Sequence, residues 1–211
     1  MNWRNKMNKG LLIVVSGFSG AGKGTLMKIL TKRYPAYALS ISATTRKPRP
    51  GETDGVEYFF KTEEEFKEMI DNGELIEYEG YVGHYYGTPK KYVEEMTAKG
   101  RDVILEIDVR GGFNIKKQNP DAVLIFVSAP SIKEIERRLR ERGSESSDDI
   151  DERLRQIERE MEAIPQYDYL LINDDLEECI NNMNAIVAAE RQKVSNNSLF
   201  IEELKKEISG G

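Results

Sequence analysis

"LLIVVSGFSGAGKGT", residues 11–25, decides how this chain is read. A continuous apolar run, "LLIVV", ends in glycines at 17, 20, 22 and 24, with Lys23 between the last two. An uninterrupted β-branched and leucine run marks a strand covered on both faces. The following "TLMKILTKRY" sets Leu26, Ile29 and Leu30 at helical spacing. The glycines therefore join a buried strand to a helix. With no side chains in the way, their N–H groups converge on one point, and the helix N-terminus adds partial positive charge. Such a loop cradles phosphate oxygens, and Lys23 supplies a full charge that reaches the β- and γ-phosphates.

The strict pattern G-x-x-x-x-G-K-[ST] holds from Gly17 to Lys23 and then departs. Gly24 stands where a hydroxyl belongs, and Thr25, one position on, is the candidate to reach a magnesium ion. Gly17, Ser19, Gly20, Ala21, Gly22, Lys23, Gly24 and Thr25 are the expected donor-nucleotide contacts.

Outward from the loop, the chain bounds its own class. It has 211 residues and a formal net charge of -6, with 39% hydrophobic and 32% charged residues. That suits a single α/β domain able to bury a core, and it argues against disorder. An acidic balance also argues against a nucleic-acid binder, which would show a basic face. Cys179 is the one cysteine, so no internal disulfide can form, and the reading is a reducing compartment, the cytoplasm. Cys179 itself is read as a small apolar helix residue. The opening "MNWRNKMNKG" only faintly imitates a secretory leader, because the apolar run after it leads straight into the glycine loop. Both Met1 and Met7 are plausible starts. No stretch approaches the ~18 apolar residues of a membrane span.

Next comes a short expected strand, "ALSIS" (38–42), and then a basic, proline-rich loop, "RKPRPGE" (46–52). Arg46 and Arg49 are a local exception in an acidic chain. Arginine forks bind phosphate bidentately, and two on one stiff loop could hold a second phosphate; a solvated basic loop is the plainer alternative. "ELIEYEG" alone reads as a strand with acidic residues facing water. Buried strands are expected at "VILEID", "AVLIFVS" and "YDYLLIN". Asp108 closes the first of these, at the carboxyl end where α/β sheets bind ligands; helix capping is the other reading. "SIKEIERRLRERGSESSDDIDERLRQIEREMEAI" reads as two charged helices, the first ended by Gly143 and the second capped by the Ser/Asp cluster. Few apolar residues anchor this pair, so it is expected to move. A helix over "LEECINNMNAIVAAERQ" and a short tail helix, "LFIEELKKEI", close the chain.

Taken in order, "GAGKGT", "SATTRKPRPGETDGVEYFF", "GELIEYEGYVGHYYGTPK" and "VILEIDVRGG" resemble guanylate kinases over about residues 10–190. The resemblance implies an α/β P-loop core of three layers around a parallel sheet (about 1–41, 97–133 and 166–194). It also implies a GMP-binding insertion (about 42–96), a helical lid (about 134–165) and a tail without assigned role (195–211). It implies transfer of phosphate from ATP to GMP or dGMP, with Mg²⁺. Ser42, Arg46, Arg49 and Tyr58 match the family's contacts at and near the GMP phosphate. Glu77 and Thr88 match its guanine contacts, Tyr86 the aromatic of its "YYG" segment, and Asp108 the acid ending "ILEID". Arg138, Arg142 and Arg153 match the lid arginines, so Lys23, Arg46 and these three form the expected catalytic set. Asn173, with Asp174 after it, matches the segment beside the adenine pocket. Arg137, Arg140 and Arg155 have no such support and read as i,i+4 partners on a solvated helix. The chain departs from the family at His84, read as a surface residue or one standing behind the site rather than a catalyst, and at Arg110, where glutamine is usual.

The residue types suit the chemistry. Guanine presents N1–H and a 2-amino group side by side, two donors that one carboxylate accepts together. Adenine offers an unprotonated N1 there. A buried Glu77 would lose a charged hydrogen bond, on the order of 3 kcal/mol. Two other functions remain open to the sequence: a non-catalytic guanylate-kinase-like binding module, and a kinase for another nucleotide such as AMP or UMP. The intact glycine loop argues against the module, and Glu77 with "ATTRKPRPGE" argues against the other nucleotides.

Overall fold

The computed structural model describes residues 9–49, 51–81, 83–141 and 147–209. Two sheets organise these residues. The first runs in the order β2 (Tyr37–Leu39), β7 (Asp102–Glu106), β1 (Leu12–Gly17), β8 (Val123–Ser128), β9 (Tyr169–Ile172). Every pairing in it is parallel, as continuous apolar runs demand. β1 lies at its centre, with Val14 beside Leu105 on one side and Leu124 on the other.

Alternation along β1 builds two cores. Ile13 and Val15 face one layer with Leu26, Met27 and Leu30 of α1 (Lys23–Arg33). Cys179, Ile180 and Met183 of α7 (Leu176–Glu190) complete that layer. Val14 faces the other layer with Val93 of α3 (Lys90–Ala98), Leu105, and Ile115 of α4 (Val109–Gln118). Each such fully buried side chain contributes roughly 1.5–3 kcal/mol. The buried strands are those the apolar runs predicted, and the three-layer α/β core around a parallel sheet is the one the resemblance implied. Cys179 is fully buried, and burial pushes its thiol up to about 11, which suits a packing residue.

The second sheet runs β4 (Phe59–Phe60), β3 (Ala43–Thr44), β6 (His84–Pro89), β5 (Leu75–Tyr81). β6 pairs antiparallel with both β3 and β5. The segment 38–42 is not the single strand expected from "ALSIS". β2 ends at Leu39, Ser40 N still donates to Ile104 O, and the chain then leaves for β3. Those few residues are the crossing from one sheet to the other. Between β4 and β5, α2 (Glu63–Asp71) starts on a capping box, Thr62 with Glu65, and buries Phe66 under the sheet.

The charged pair of helices is present as α5 (Ile132–Glu141) and α6 (Ser147–Met161). Their anchoring exceeds what the charge content suggested. Ile135, Leu139, Ile150 and Ile157 are all buried in the first core layer. Arg137 and Arg140 make the local pairs expected of them, with Glu134, Glu141 and Glu136. Gly143, the expected end of the first helix, lies outside the described residues, as do Ser144 and Ser146 of the Ser/Asp cluster; Ser147, Asp148 and Asp149 open α6. The tail forms α8 (Ser198–Ser209), with Leu199, Leu204 and Ile208 exposed.

Candidate active site

The loop after β1 has the shape its glycines foretold. Gly17 takes φ +152°, and a Cβ there would sit 2.0 Å from Val127 O. Gly22 caps α1 in the left-handed region at φ +87°, and a Cβ there would sit 2.5 Å from Asn173 Nδ2. No acidic residue occupies the first turn of α1, so its positive end is not neutralised from within. Lys23 Nζ folds back over the loop and donates to Gly17 O at 2.6 Å and Phe18 O at 3.1 Å. Burial lowers its pKa, while the carboxylates of Glu106 and Glu160 oppose that shift. Glu106, the one charged residue inside the "VILEI" run, is a neighbour that the sequence reading passed over.

Arginines from the two charged helices reach this loop. Arg153 Nη1 donates to Ser19 Oγ at 2.5 Å. Arg138 Nη2 donates to Asn173 O at 3.0 Å, while its Nε bonds Glu134 Oε1 at 2.7 Å. Arg142 lies outside the described residues. Asn173 is buried, and its Nδ2 donates to Ala21 O at 2.8 Å, so it braces the loop from behind. Ser19 and Gly20 are partly exposed, Gly24 and Thr25 are exposed, and a Cβ at Gly24 would meet nothing within 4 Å. Among the described residues no group of three or more His, Cys, Asp or Glu side chains could hold a metal by itself. This donor set fits Mg²⁺ held chiefly by substrate phosphates, with Thr25 as the loop hydroxyl within reach.

The basic loop follows β3 of the second sheet. Arg46 forks onto a residue that the sequence reading did not single out. Its Nη1 and Nη2 meet Glu52 Oε2 and Oε1, each at 2.9 Å. The Arg46 guanidinium also lies 5.3 Å from the Tyr58 ring centre and 5.9 Å from that of Phe60. Tyr58 meets Tyr86 edge-on at 6.1 Å. Burial raises the Tyr58 pKa, and so do the neighbouring Tyr86 and the carboxylate of Glu106. The Glu106 carboxylate thus acts electrostatically on both Lys23 and Tyr58. Ser42 is partly buried, and its backbone O accepts from Phe59 N at 2.9 Å. Arg49 is exposed. The acid at the end of "RKPRPGE" was the available signal for Glu52; lying amid polar loop residues, it read as solvated.

Glu77 and Thr88 face each other across β5 and β6. Both are buried, and Thr88 Oγ1 donates to Glu77 Oε1 at 2.8 Å. Burial pushes the Glu77 carboxyl up to about 7, with Asp108 and Glu79 adding to the shift against the Thr88 hydrogen bond. Asp108 is the N-cap of α4, where its Oδ1 accepts from Gly111 N at 2.8 Å. The capping reading of Asp108 therefore holds, and the same residue borders Glu77. A Cβ on Gly111 would lie 2.8 Å from Glu77 Oε2 and 3.2 Å from Asp108 Oδ1. Two carboxylates thus share one corner, around a residue with no side chain. Arg110 pairs with Glu79 at 3.3 Å from an exposed position, and His84 is exposed, as expected.

A family model described as guanylate kinase matches residues 9–190. A guanylate kinase of Caldanaerobacter subterraneus is 44% identical, over 94% of this chain and 97% of that one. One from Clostridioides difficile is 45% identical, over 96% of this chain and 99% of that one. Among solved structures, a guanylate kinase from Anaplasma phagocytophilum superposes with a TM-score of 0.74 at 31% identity, covering 90% of each chain. The two-sheet architecture, the glycine loop and these likenesses agree, and the chain belongs to the guanylate kinase family.

Proposed function

We propose that this protein transfers the γ-phosphate of ATP to GMP, giving ADP and GDP. The observation that carries the reading is the buried Glu77–Thr88 pair with Asp108 at the same corner, an acceptor group suited to the two donors of guanine. In this reading residues 42–96 bind GMP and residues 134–165 form the lid.

The reaction needs no general base. The attacking group is a phosphate oxygen of GMP, whose second ionisation lies near pKa ~6. The obstacle is bringing two polyanions together, so catalysis rests on positioning and charge neutralisation. Lys23 serves the donor phosphates by leaving the carbonyls of Gly17 and Phe18, a neutral hold that a phosphate can replace. Mg²⁺, when bound with ATP, would neutralise charge on the donor phosphates. Arg46 and Arg49, with Tyr58 and Tyr86 beside them, hold the acceptor phosphate. Arg138 and Arg153 reach the loop from the lid and cover the transferring group, excluding water that would otherwise take the phosphate. Glu77 accepts guanine N1–H and the 2-amino group, with Thr88 and Asp108 at the same corner. The setting is the cytoplasm, where both nucleotides occur.

A coupled ADP-release assay across GMP, AMP, CMP and UMP tests this. Turnover with GMP far above the other three is the expected result. Equal turnover with AMP, or none with GMP, would contradict it.

A further inference from the structure

The carboxylate of Glu52 does more than balance charge in the basic loop. A guanidinium carries five N–H donors. On Arg46, both Nη1 donors are spent, one on Lys47 O at 2.7 Å and one on Glu52 Oε2 at 2.9 Å. One Nη2 donor meets Glu52 Oε1 at 2.9 Å. Nε–H and the second Nη2–H lie on the other edge, and Arg46 also shares a side-chain hydrogen bond with Tyr86, a neutral partner that a phosphate can replace. That edge is a two-pronged fork of the width of a phosphate.

Glu52 is itself fixed. Its Oε2 also accepts from Arg49 N at 2.7 Å, and its own N donates to Arg49 O at 3.0 Å, closing a turn. The side chains of Arg46 and Glu52 retain only 13% and 16% of their exposure, so water competes little for either. The rings of Tyr58 and Phe60 lie against the guanidinium. Arg46 keeps Glu52 below the usual carboxylate range, so the grip persists at mildly acidic pH.

We propose that Glu52 is a positioning residue for the acceptor phosphate: it grips one edge of Arg46 and the backbone of Arg49, and presents the other edge of Arg46 to the nucleotide. This rests on the guanylate kinase reading. The opposite role would be a stand-in for phosphate that must be expelled before GMP binds. The second grip of the carboxylate argues against it, since Glu52 cannot leave Arg46 without also giving up the bond that its Oε2 accepts from Arg49 N. The two roles differ in sign.

The test is Glu52→Gln, of the same shape without charge, with Glu52→Asp beside it. GMP binding is measured by calorimetry without ATP, and steady-state kinetics are measured for both substrates. Losing a charged hydrogen-bonded grip should raise the GMP Kd and KM about tenfold in Glu52→Gln, with the ATP KM and kcat within about twofold. Glu52→Asp, which keeps the charge, should recover part of the loss. A lower or unchanged GMP KM would overturn the proposal. So would equal rises in both KM values together with a lower Tm, which would mark a merely structural residue. Wild-type protein inactive on GMP would overturn the functional reading instead, so the two failures are distinguishable.

Discussion

Thr88 Oγ1 donates to Glu77 Oε1 at 2.8 Å, and the carboxylate it supports is only 6% exposed. A single hydroxyl does not offset that burial, so the carboxyl is held near neutrality, at about 7. Such a group is costly to ionise alone. It is well suited to a ligand that brings two N–H donors of its own.

GMP binding should therefore be coupled to proton release. Guanine needs the ionised carboxylate, so binding pulls the Glu77 pKa down. Around pH 6–7 each GMP bound should expel a substantial fraction of a proton, and affinity should weaken as pH falls through that range. Calorimetry in buffers of different ionisation enthalpy reads this directly. No buffer dependence would contradict it.

Removing the charge should stabilise the protein without substrate. The unfolded carboxyl titrates near 4.5 and the folded one near 7. Between these values the folded state holds the extra proton, so stability falls as pH rises, and the loss is complete above 7. Glu77→Gln should gain on the order of 2 kcal/mol at pH 8 and little at pH 5. Thermal melts at both pH values check it.

Arg46→Lys should raise the GMP KM strongly, on the order of tenfold or more, because an ammonium cannot fork between Glu52 and a phosphate. The ATP KM should stay close to that of the wild type. Steady-state kinetics with an unchanged GMP KM would remove Arg46 from the acceptor site.

Lys23→Ala should act mainly on kcat, lowering it by roughly a hundredfold or more, since in the proposed mechanism Lys23 meets charge on the transferring phosphoryl group. Its bonds in this structure are to carbonyls of the loop, so some loss of stability should accompany the change. Near-normal turnover would exclude it from the transition state.

Much of this was legible in the sequence, and the limits have physical causes. "LLIVV", "VILE" and "AVLIFVS" announced buried parallel strands because both their faces are apolar. The glycine loop was legible because Gly17 and Gly22 occupy conformations that other residues avoid. Glu77 and Thr88 were legible only through resemblance; periodicity alone would have turned Glu77 toward water. Glu52 was missed because an acid in a polar loop carries no periodic signal, and its fork on Arg46 depends on the turn 49–52. Asn173 was read by resemblance as part of the segment beside the adenine pocket; the bond from its side chain to Ala21 O joins segments distant in sequence, which no local pattern reveals. The anchors of α5 and α6 were present as Ile135, Leu139, Ile150 and Ile157, but the surrounding charges obscured them.

The central claim is that one buried carboxylate chooses the purine. Its most direct test is the ratio of kcat/KM for GMP to that for AMP, measured in the wild type and in Glu77→Gln. The account predicts a large preference for GMP in the wild type and a collapse of that preference by about a hundredfold or more in the variant, through loss of GMP activity. A variant that keeps the wild-type preference would contradict it.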